Sequence, residues 1–169
     1  ERMAGRIGFD SDVNVGSTFW IDLPLAGNED VMIWSDAMHI GVDAIDKDHQ
    51  VLISLLNRLM RRSFDDTDVD GIVAKLTDYT QYHFTREDAL MEACEYPGLE
   101  NHRELHRRLT SDLIDLDDTW KKERSQETFV EFRKFLNDWL FDHILNQDVE
   151  ITPYTKGKDR EIIDALQNL

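Results

Sequence analysis

The feature that most constrains the fold is a set of four apolar stripes at helical spacing. In each stripe, apolar residues recur every three or four positions, which places them on one face of an α-helix that packs into a core. Short polar or proline- and glycine-containing stretches separate the stripes, so neighbouring helices are expected to run antiparallel. The pattern therefore predicts an all-α fold, an up-down-up-down four-helix bundle. The stripe residues are Leu52, Leu56 and Leu59; Ile72, Leu76, Tyr79, Leu90 and Met91; Leu99, Leu109, Leu113, Leu116 and Trp120; and Phe129, Phe132, Leu136 and Trp139.

The two ends of this bundle have signals of their own. Asp43 or Asp46 is expected to cap the first helix, because an aspartate side chain accepts hydrogen bonds from the free amides of a helix N-terminus. Near the C-terminus, Ile162, Ile163 and Leu166 have the spacing of one further short helix.

Residues 1–30 follow a different pattern. Ile7 and Phe9 alternate with polar residues in one short run, as do Phe19 and Ile21 in the next, and Asn14 lies between the runs. Alternation with a period of two around a turn residue predicts a β-hairpin. We expect a short N-terminal hairpin-like arm in front of the bundle.

Polar residues interrupt the four stripes in register. His49 lies three residues before Leu52, and His143 lies four after Trp139. The middle two helices each carry a pair of such residues four positions apart. These pairs are His83 with Glu87, and His102 with His106.

The spacing of these pairs is suited to binding a metal ion. Residues four apart on a helix differ by about 40° in direction and about 6 Å in height, so both side chains reach one point. A single histidine on an apolar face is more often a hydrogen-bonded core residue. Four helices that all point such residues inward instead indicate a metal site, where a multivalent cation stabilises the buried carboxylate.

Composition limits the partners and the compartment. The net charge is -16, from 35 acidic and 19 basic residues, which disfavours nucleic acid and anionic membrane surfaces as partners. Cys94 is the single cysteine, which is compatible with a reducing cytoplasm, and we expect it to be buried and inert. No apolar run approaches the length of a membrane span, so we predict a cytoplasmic chain without membrane contact. His39, outside the stripes, is expected in a surface loop.

Three blocks of sequence together resemble the hemerythrin family. They are "WSDAMHIGVDAIDKDHQVL", which resembles the bacterial branch, "YHFTREDALMEACEYPGLENHRELH" and "WLFDHILNQD". The resemblance extends from Ile33 to about Tyr154. It implies a hemerythrin-like four-helix bundle with a non-heme di-iron centre.

The resemblance also implies the composition of that centre. Two iron ions (Fe²⁺/Fe³⁺) would share an oxo or hydroxo bridge, and O₂ would be the ligand of the iron with an open position. One iron would be held by three histidines, the other by two, with two bridging carboxylates. In that order these residues are His102, His106 and His143; His49 and His83; and Glu87 and Asp148. The O₂ pocket would be lined by Trp139, Leu140, Phe84 and Ile144. No catalytic residue is implied, and we do not expect an enzyme.

Spacing alone does not place Asp148 in this site. His143 and Asp148 are five residues apart, which is about 140° around a regular α-helix. They share a metal site only if the helix widens or ends between them. We therefore predict a π-bulge or a helix end near Asn146 and Gln147.

A second resemblance concerns residues 1–25. "GRI" and "GSTF" followed by "LPL" resemble the end of the ATP-binding domain of sensor histidine kinases, although Asn14 stands where that family usually has glycine. The rest of a nucleotide site is absent from the sequence, so we assign no ATP binding and no kinase activity. The predicted organisation is a kinase-like remnant (1–25), a linker (26–32), the di-iron domain (33–154) and a C-terminal tail (155–169).

The leading hypothesis is reversible O₂ binding for oxygen sensing or supply within a signalling protein, with kinase or other signalling domains as partners. One alternative is a di-iron redox enzyme of the peroxidase or nitric oxide reductase type, or a redox-state sensor. Another is a bundle that holds iron without gas chemistry.

Overall fold

The structure, a computed structural model, describes residues 6–12, 16–22 and 31–169. The chain divides into two compact units, Glu1–Val31 and Met32–Leu169. In the first unit, strands β1 (Arg6–Asp12) and β2 (Gly16–Asp22) pair antiparallel, which confirms the predicted hairpin pairing. Asn14, expected in the turn, and residues 26–30 of the expected linker lie outside the described residues.

The second unit is the predicted four-helix bundle. Its long helices are α1 (Asp43–Met60), α2 (Val69–Ala93), α3 (Leu99–Lys122) and α4 (Gln126–Asp142). Each helix packs on the next in sequence, and α4 packs back on α1. Within the described part of the chain, no helix is long and apolar enough to cross a membrane.

The interior of the bundle is built from the predicted stripes. Trp120, Phe129 and Phe132 are among the largest fully buried side chains, and they belong to one cluster with the leucines of α1. Leu109 and Leu116 of α3 are only partly buried against that cluster. These two positions of the α3 stripe therefore lie at the edge of the core, whereas Leu113 and Trp120 of the same stripe are buried in it.

The predicted cap of α1 is wrong. Val42 occupies the N-cap position, and no side chain caps the helix. Asp46 instead accepts hydrogen bonds from the backbone N–H of Ile40 (2.9 Å) and from Nδ1 of His39 (3.1 Å). Because Asp46 points back to the segment before the helix, it fixes that segment and leaves the helix terminus without a side-chain cap. His39 is exposed, as expected.

The chain after α4 contains the predicted irregularity. A π-helix spans His143–Gln147, a 3₁₀ helix spans Asp148–Ile151, and the short helix α5 (Thr152–Thr155) follows. The backbone N–H of Asp148 bonds to the carbonyl of His143, which is the five-residue hydrogen bond of a π-helix. This turn changes the direction in which Asp148 points relative to His143.

The predicted C-terminal helix is also present. Helix α6 (Asp159–Gln167) packs against α2 and buries Ile162. A second apolar cluster joins this helix to the segment before α1 and to the end of α2. Its buried members are Ile40, Ile45, Leu90, Met91, Cys94, Ile151 and Ile162.

Candidate metal centre

All seven residues expected to bind metal lie together in the bundle interior. Each is at most 5% exposed, although histidine, aspartate and glutamate are seldom buried without partners. Helices α1, α2 and α3, the π-helix and the following 3₁₀ helix all contribute. In that order the residues are His49; His83 and Glu87; His102 and His106; His143; and Asp148.

The donor atoms form two groups that share one carboxylate. In each group the atoms lie within 4.8 Å of one another, close enough to bind a single metal ion. Glu87 belongs to both. The groups are Glu87 with His102, His106 and His143, and Glu87 with His49, His83 and Asp148.

Glu87 is completely buried, and its two oxygens face histidines of both groups. Oε1 lies 3.3 Å from Nε2 of His49. Oε2 lies 3.4 Å from Nε2 of His83, 3.3 Å from Nε2 of His106 and 3.6 Å from Nε2 of His143. This carboxylate is therefore placed to bridge two metal ions.

Asp148 has the same bridging arrangement. Its Oδ2 lies 3.2 Å from Nε2 of His49, while Oδ1 lies 3.3 Å from Nε2 of His143 and 3.4 Å from Nε2 of His102. The two oxygens thus face different histidine groups. The π-helix makes this possible, because a regular helix would turn Asp148 away from His143.

The carboxylates and burial together determine the charge states of the histidines. Burial opposes ionisation of Asp148, but the surrounding imidazoles outweigh it and hold the pKa of this carboxyl at about 2. Burial likewise opposes a charged His49, yet the adjacent carboxylates of Asp148 and Glu87 raise its pKa to about 10. For His83 burial dominates and lowers the pKa to about 3. Protons on His49 and on His106, whose pKa is raised to about 9, thus offset negative charge of the two carboxylates. Bound metal ions would replace these protons.

Buried polar atoms that lack a hydrogen-bond partner show whether the site is suited to a metal ion. Both oxygens of Asp148 and the Nε2 atoms of four histidines are buried without a hydrogen-bond partner among the described residues. A native core rarely leaves so many polar atoms unpaired. Imidazole nitrogens and bridging carboxylates are a donor set that suits iron, so these residues fit a pair of iron ions.

The sequence analysis did not predict a contact made by the ring nitrogen of His106 that points away from the two donor groups. Nδ1 of His106 lies 3.2 Å from Oδ1 of Asp88, and Nε of Arg103 donates to Oδ2 of the same carboxylate at 3.2 Å. Asp88 follows Glu87 directly on α2, but His106 is on α3. No local pattern in the sequence connects them.

A buried ion pair beside His49 was also missed. Asp48 is 3% exposed and accepts hydrogen bonds from the hydroxyl of Tyr79 (2.9 Å) and from Nη1 of Arg86 (2.7 Å). These contacts connect α1 to α2 next to the metal-facing residues.

Aromatic rings lie against the histidines on one side. Phe84 stacks on His106 with ring centroids 3.8 Å apart and lies 5.3 Å from His143. Trp139 is 6.2 Å from His143. The other two residues expected to line the O₂ pocket, Leu140 and Ile144, are buried in the same apolar cluster as Phe84 and Trp139.

Fold and site together define a class: a four-helix bundle whose interior holds two adjoining groups of histidines and carboxylates, each of which could hold a metal ion. The chain belongs to the hemerythrin family, because residues 40–155 match the model of the hemerythrin HHE cation binding domain. This family binds a di-iron centre. Hemerythrin-type proteins bind oxygen and are not enzymes, in agreement with our expectation.

Several curated relatives carry the name bacteriohemerythrin. The protein of Stenotrophomonas maltophilia is 30% identical over 120 residues, which cover 70% of this chain and 77% of the relative. That of Pseudomonas aeruginosa (strain PAO1) is 26% identical over 138 residues, covering 78% and 86%. That of Clostridium acetobutylicum is 25% identical over 127 residues, covering 71% and 98%.

Solved structures show the same fold. A crystal structure of wild-type hemerythrin matches with a TM-score of 0.65 and 23% identity, over 73% of this chain and 96% of that one. A hemerythrin variant in which one leucine is replaced by alanine matches with a TM-score of 0.66 and 22% identity over the same shares. Together the comparisons support a di-iron oxygen-binding or related function.

Proposed function

We propose that this chain binds O₂ reversibly at a non-heme di-iron centre held by the seven buried residues of the site. One observation carries the proposal: the two donor groups contain unequal numbers of histidines. Three histidines face one position, whereas two, His49 and His83, face the other, and Glu87 and Asp148 reach both. The second position therefore has one protein ligand fewer, which leaves room for an external ligand.

The protein's own contribution is to hold, orient and seal the site. When bound, the iron pair supplies the electrons for reversible O₂ binding. Glu87 and Asp148 would each help to hold both irons, and the histidines would hold them through Nε2. Phe84, Trp139, Leu140 and Ile144 are buried beside the site, and we assign them to the wall that excludes water from it.

The test is a spectrum of the reduced protein before and after exposure to air, with iron measured on the same sample. About two irons per chain and a new near-ultraviolet and visible band that reverses on removal of O₂ would support the proposal. Iron that oxidises without a reversible band would instead favour the redox enzyme or redox-state sensor. Little or no iron would contradict the ligand assignment.

Two variants make the spectrum specific to the site. His83→Gln removes a buried ligand of the position with fewer histidines, and we expect it to abolish the reversible band. His39→Gln removes an exposed histidine outside both donor groups. This variant should retain the iron and the reversible band. It therefore shows whether an effect of His83→Gln comes from the site or from the loss of a histidine as such.

We further infer that oxygen binding serves sensing or supply within a signalling protein. The support is the sequence of residues 1–25, which resembles the end of a histidine kinase ATP-binding domain, followed by a linker (26–32), the di-iron domain (33–154) and a tail (155–169). The signalling activity of the parent protein should change as O₂ is titrated in parallel with the spectrum of the site. An activity independent of O₂ would reject the sensing role.

A further inference from the structure

The ring of His106 is held more completely than any other in the site. Its Nε2 lies 3.3 Å from Oε2 of Glu87 and its Nδ1 lies 3.2 Å from Oδ1 of Asp88. Phe84 stacks on one face of the ring, with an angle of 9° between the planes. Two carboxylates and an aromatic ring thus fix its position and its orientation.

The contact with Asp88 distinguishes His106 from its neighbours. The Nδ1 atoms of His49, His83 and His143 are buried without a hydrogen-bond partner among the residues that the structure describes. Two consecutive residues of α2 therefore have separate roles. Glu87 points into the centre of the site, and Asp88 points to the outer edge of a histidine on α3.

Asp88 is itself held in place from α3. Nε of Arg103 donates to its Oδ2 at 3.2 Å, and Arg103 also donates to Glu100 at 3.0 Å and to Glu92. Arg103 lies three residues before His106, on the same side of the helix. Although about a third of the Asp88 side chain is exposed, it is anchored at both oxygens rather than free in solvent.

We propose that Asp88 is a positioning residue of the metal centre, which acts through His106 and is held by Arg103. This inference rests on the proposed function, because it assumes metal at Nε2 of His106. By accepting the Nδ1–H, Asp88 fixes the tautomer that leaves the lone pair of Nε2 for the metal. A carboxylate in this place also makes the imidazole a stronger donor. The stronger donor favours the ferric state of the iron that His106 binds.

The first measurement is the rate at which the diferric protein loses iron to a chelator. Removal of a residue that orients a metal ligand typically weakens metal binding by about 10- to 100-fold. We expect Asp88→Asn to lose iron roughly tenfold faster than the wild type. Asp88→Glu, which keeps the charge, should recover much of the difference. Asp78→Asn makes the same charge change at an exposed position of α2 and should leave the rate unchanged.

The second measurement is the reduction potential of the iron pair, which a purely structural role would not change. A weaker donor at His106 destabilises the ferric state, so the potential of Asp88→Asn should become more positive. A tenfold change in the stability of the ferric state relative to the ferrous state corresponds to a shift of the reduction potential by about 59 mV for one electron. Wild-type potential and wild-type iron release in Asp88→Asn would overturn the proposal. Faster release at an unchanged potential would also overturn it, because it would indicate packing alone.

The outcomes separate this inference from the proposed function. If the wild type binds two irons but shows no reversible O₂ band, the release rates and potentials still decide the role of Asp88. If the wild type takes up no iron, the same variants are titrated with Co²⁺. Equal Co²⁺ affinities of the wild type and Asp88→Asn would then overturn the inference, and a weaker affinity in Asp88→Asn alone would support it.

Discussion

At the scale of single residues, the site brings carboxylates and histidines together where solvent does not reach them. Glu87 is fully buried, and five imidazoles lie within 3.9 Å of its oxygens. These imidazoles hold its pKa well below the ordinary value against the effect of burial. The carboxylate is therefore charged, and it lies between the two groups of histidines.

Replacement of Glu87 by glutamine tests this shared role. The variant keeps the shape of the side chain but removes the negative charge and one of its two equivalent oxygens. We expect iron to fall from about two per chain to one or none, because both positions lose a ligand. Glu104→Gln is the control, since Glu104 is a partly exposed glutamate that pairs with Arg107 and Arg108 on the surface of α3. Two irons per chain in Glu87→Gln, measured by metal analysis, would contradict the assignment.

The ion pair beside the site gives a second prediction at this scale. Burial raises the pKa of Asp48 although Tyr79 and Arg86 oppose it, so the partners do not fully compensate its charge. Asp48→Leu alone leaves Arg86 without this carboxylate. Loss of one member of a buried pair costs about 3–5 kcal/mol, and because the Arg86 side chain is 14% exposed and also donates to the hydroxyl of Tyr82, we expect a loss at or below the lower end of that range. The double variant Asp48→Leu/Arg86→Leu should recover most of that loss. Urea unfolding of the metal-free proteins measures both, and a double variant as unstable as the single one would be inconsistent with this account.

The sequence was sufficient for some of these residues and insufficient for others. Spacing within a helix was sufficient for two pairs, since residues four apart share a face. These pairs are His83 with Glu87 on α2, and His102 with His106 on α3. Asp148 did not follow from spacing and needed the family resemblance. The contact of Asp88 with His106 could not be predicted, because it joins two helices whose relative rotation is set by packing of the whole core.

At the scale of elements, the π-helix after α4 decides which side chain completes the site. The proposed ligands on α1, α2 and α3 project from regular helices, whereas the π-helix lies between His143 and Asp148 and brings both to the site. Sequence reasoning located this irregularity because two required ligands were five residues apart. The cap of α1 could not be found in this way, because Asp46 is used by the segment before the helix.

Deletion of Asn146 tests the π-helix directly. Asn146 is exposed, and its side-chain amide donates to Asp142. Removing it places Asp148 four residues after His143, where a regular α-helix directs both side chains to one face, about 40° apart. We therefore expect the deletion variant to lose the π-helix and still bind iron, with nearly unchanged helix content by circular dichroism. Insertion of an alanine after Asn146 instead places Asp148 six residues after His143, about 240° around a regular helix, and should weaken iron binding. Asn146→Ala keeps the residue count and should bind two irons, so an insertion variant that also binds two irons would show that the direction of Asp148 is not required.

At the scale of the whole molecule, both ends of the bundle unit help to close it. The side-chain amide of Asn57 on α1 accepts from the backbone N–H of Met32 (2.9 Å) and donates to its carbonyl (2.8 Å). The second apolar cluster joins the segment before α1 to α6 through Ile40 and Ile162. The family match at residues 40–155 includes Ile40 but not α6. For the tail, the sequence therefore predicted a short amphipathic helix but not the surface against which that helix packs.

The charges of the site also link metal binding to the stability of the whole bundle. Without metal, the pKa of His49 is raised to about 10, and that of His106 to about 9 despite its burial. A raised histidine pKa stabilises the folded state below the unfolded pKa of about 6.5, and this contribution is lost as the pH rises through the folded pKa. The free energy of unfolding of the metal-free protein should therefore fall between about pH 6.5 and pH 10. His83, Glu87 and Asp148 have lowered pKa values and do not titrate in this window.

Bound metal should remove this dependence, because it occupies the nitrogens that the protons otherwise hold. Urea unfolding at pH 6, 8 and 10, with and without Co²⁺ or iron, makes the comparison. We expect a falling free energy of unfolding for the metal-free protein, and for the loaded protein a higher value that changes little with pH. The double variant His49→Gln/His106→Gln should lose the slope while remaining folded. A metal-free wild type whose stability does not change over this range would show that these histidines are not protonated in the empty site.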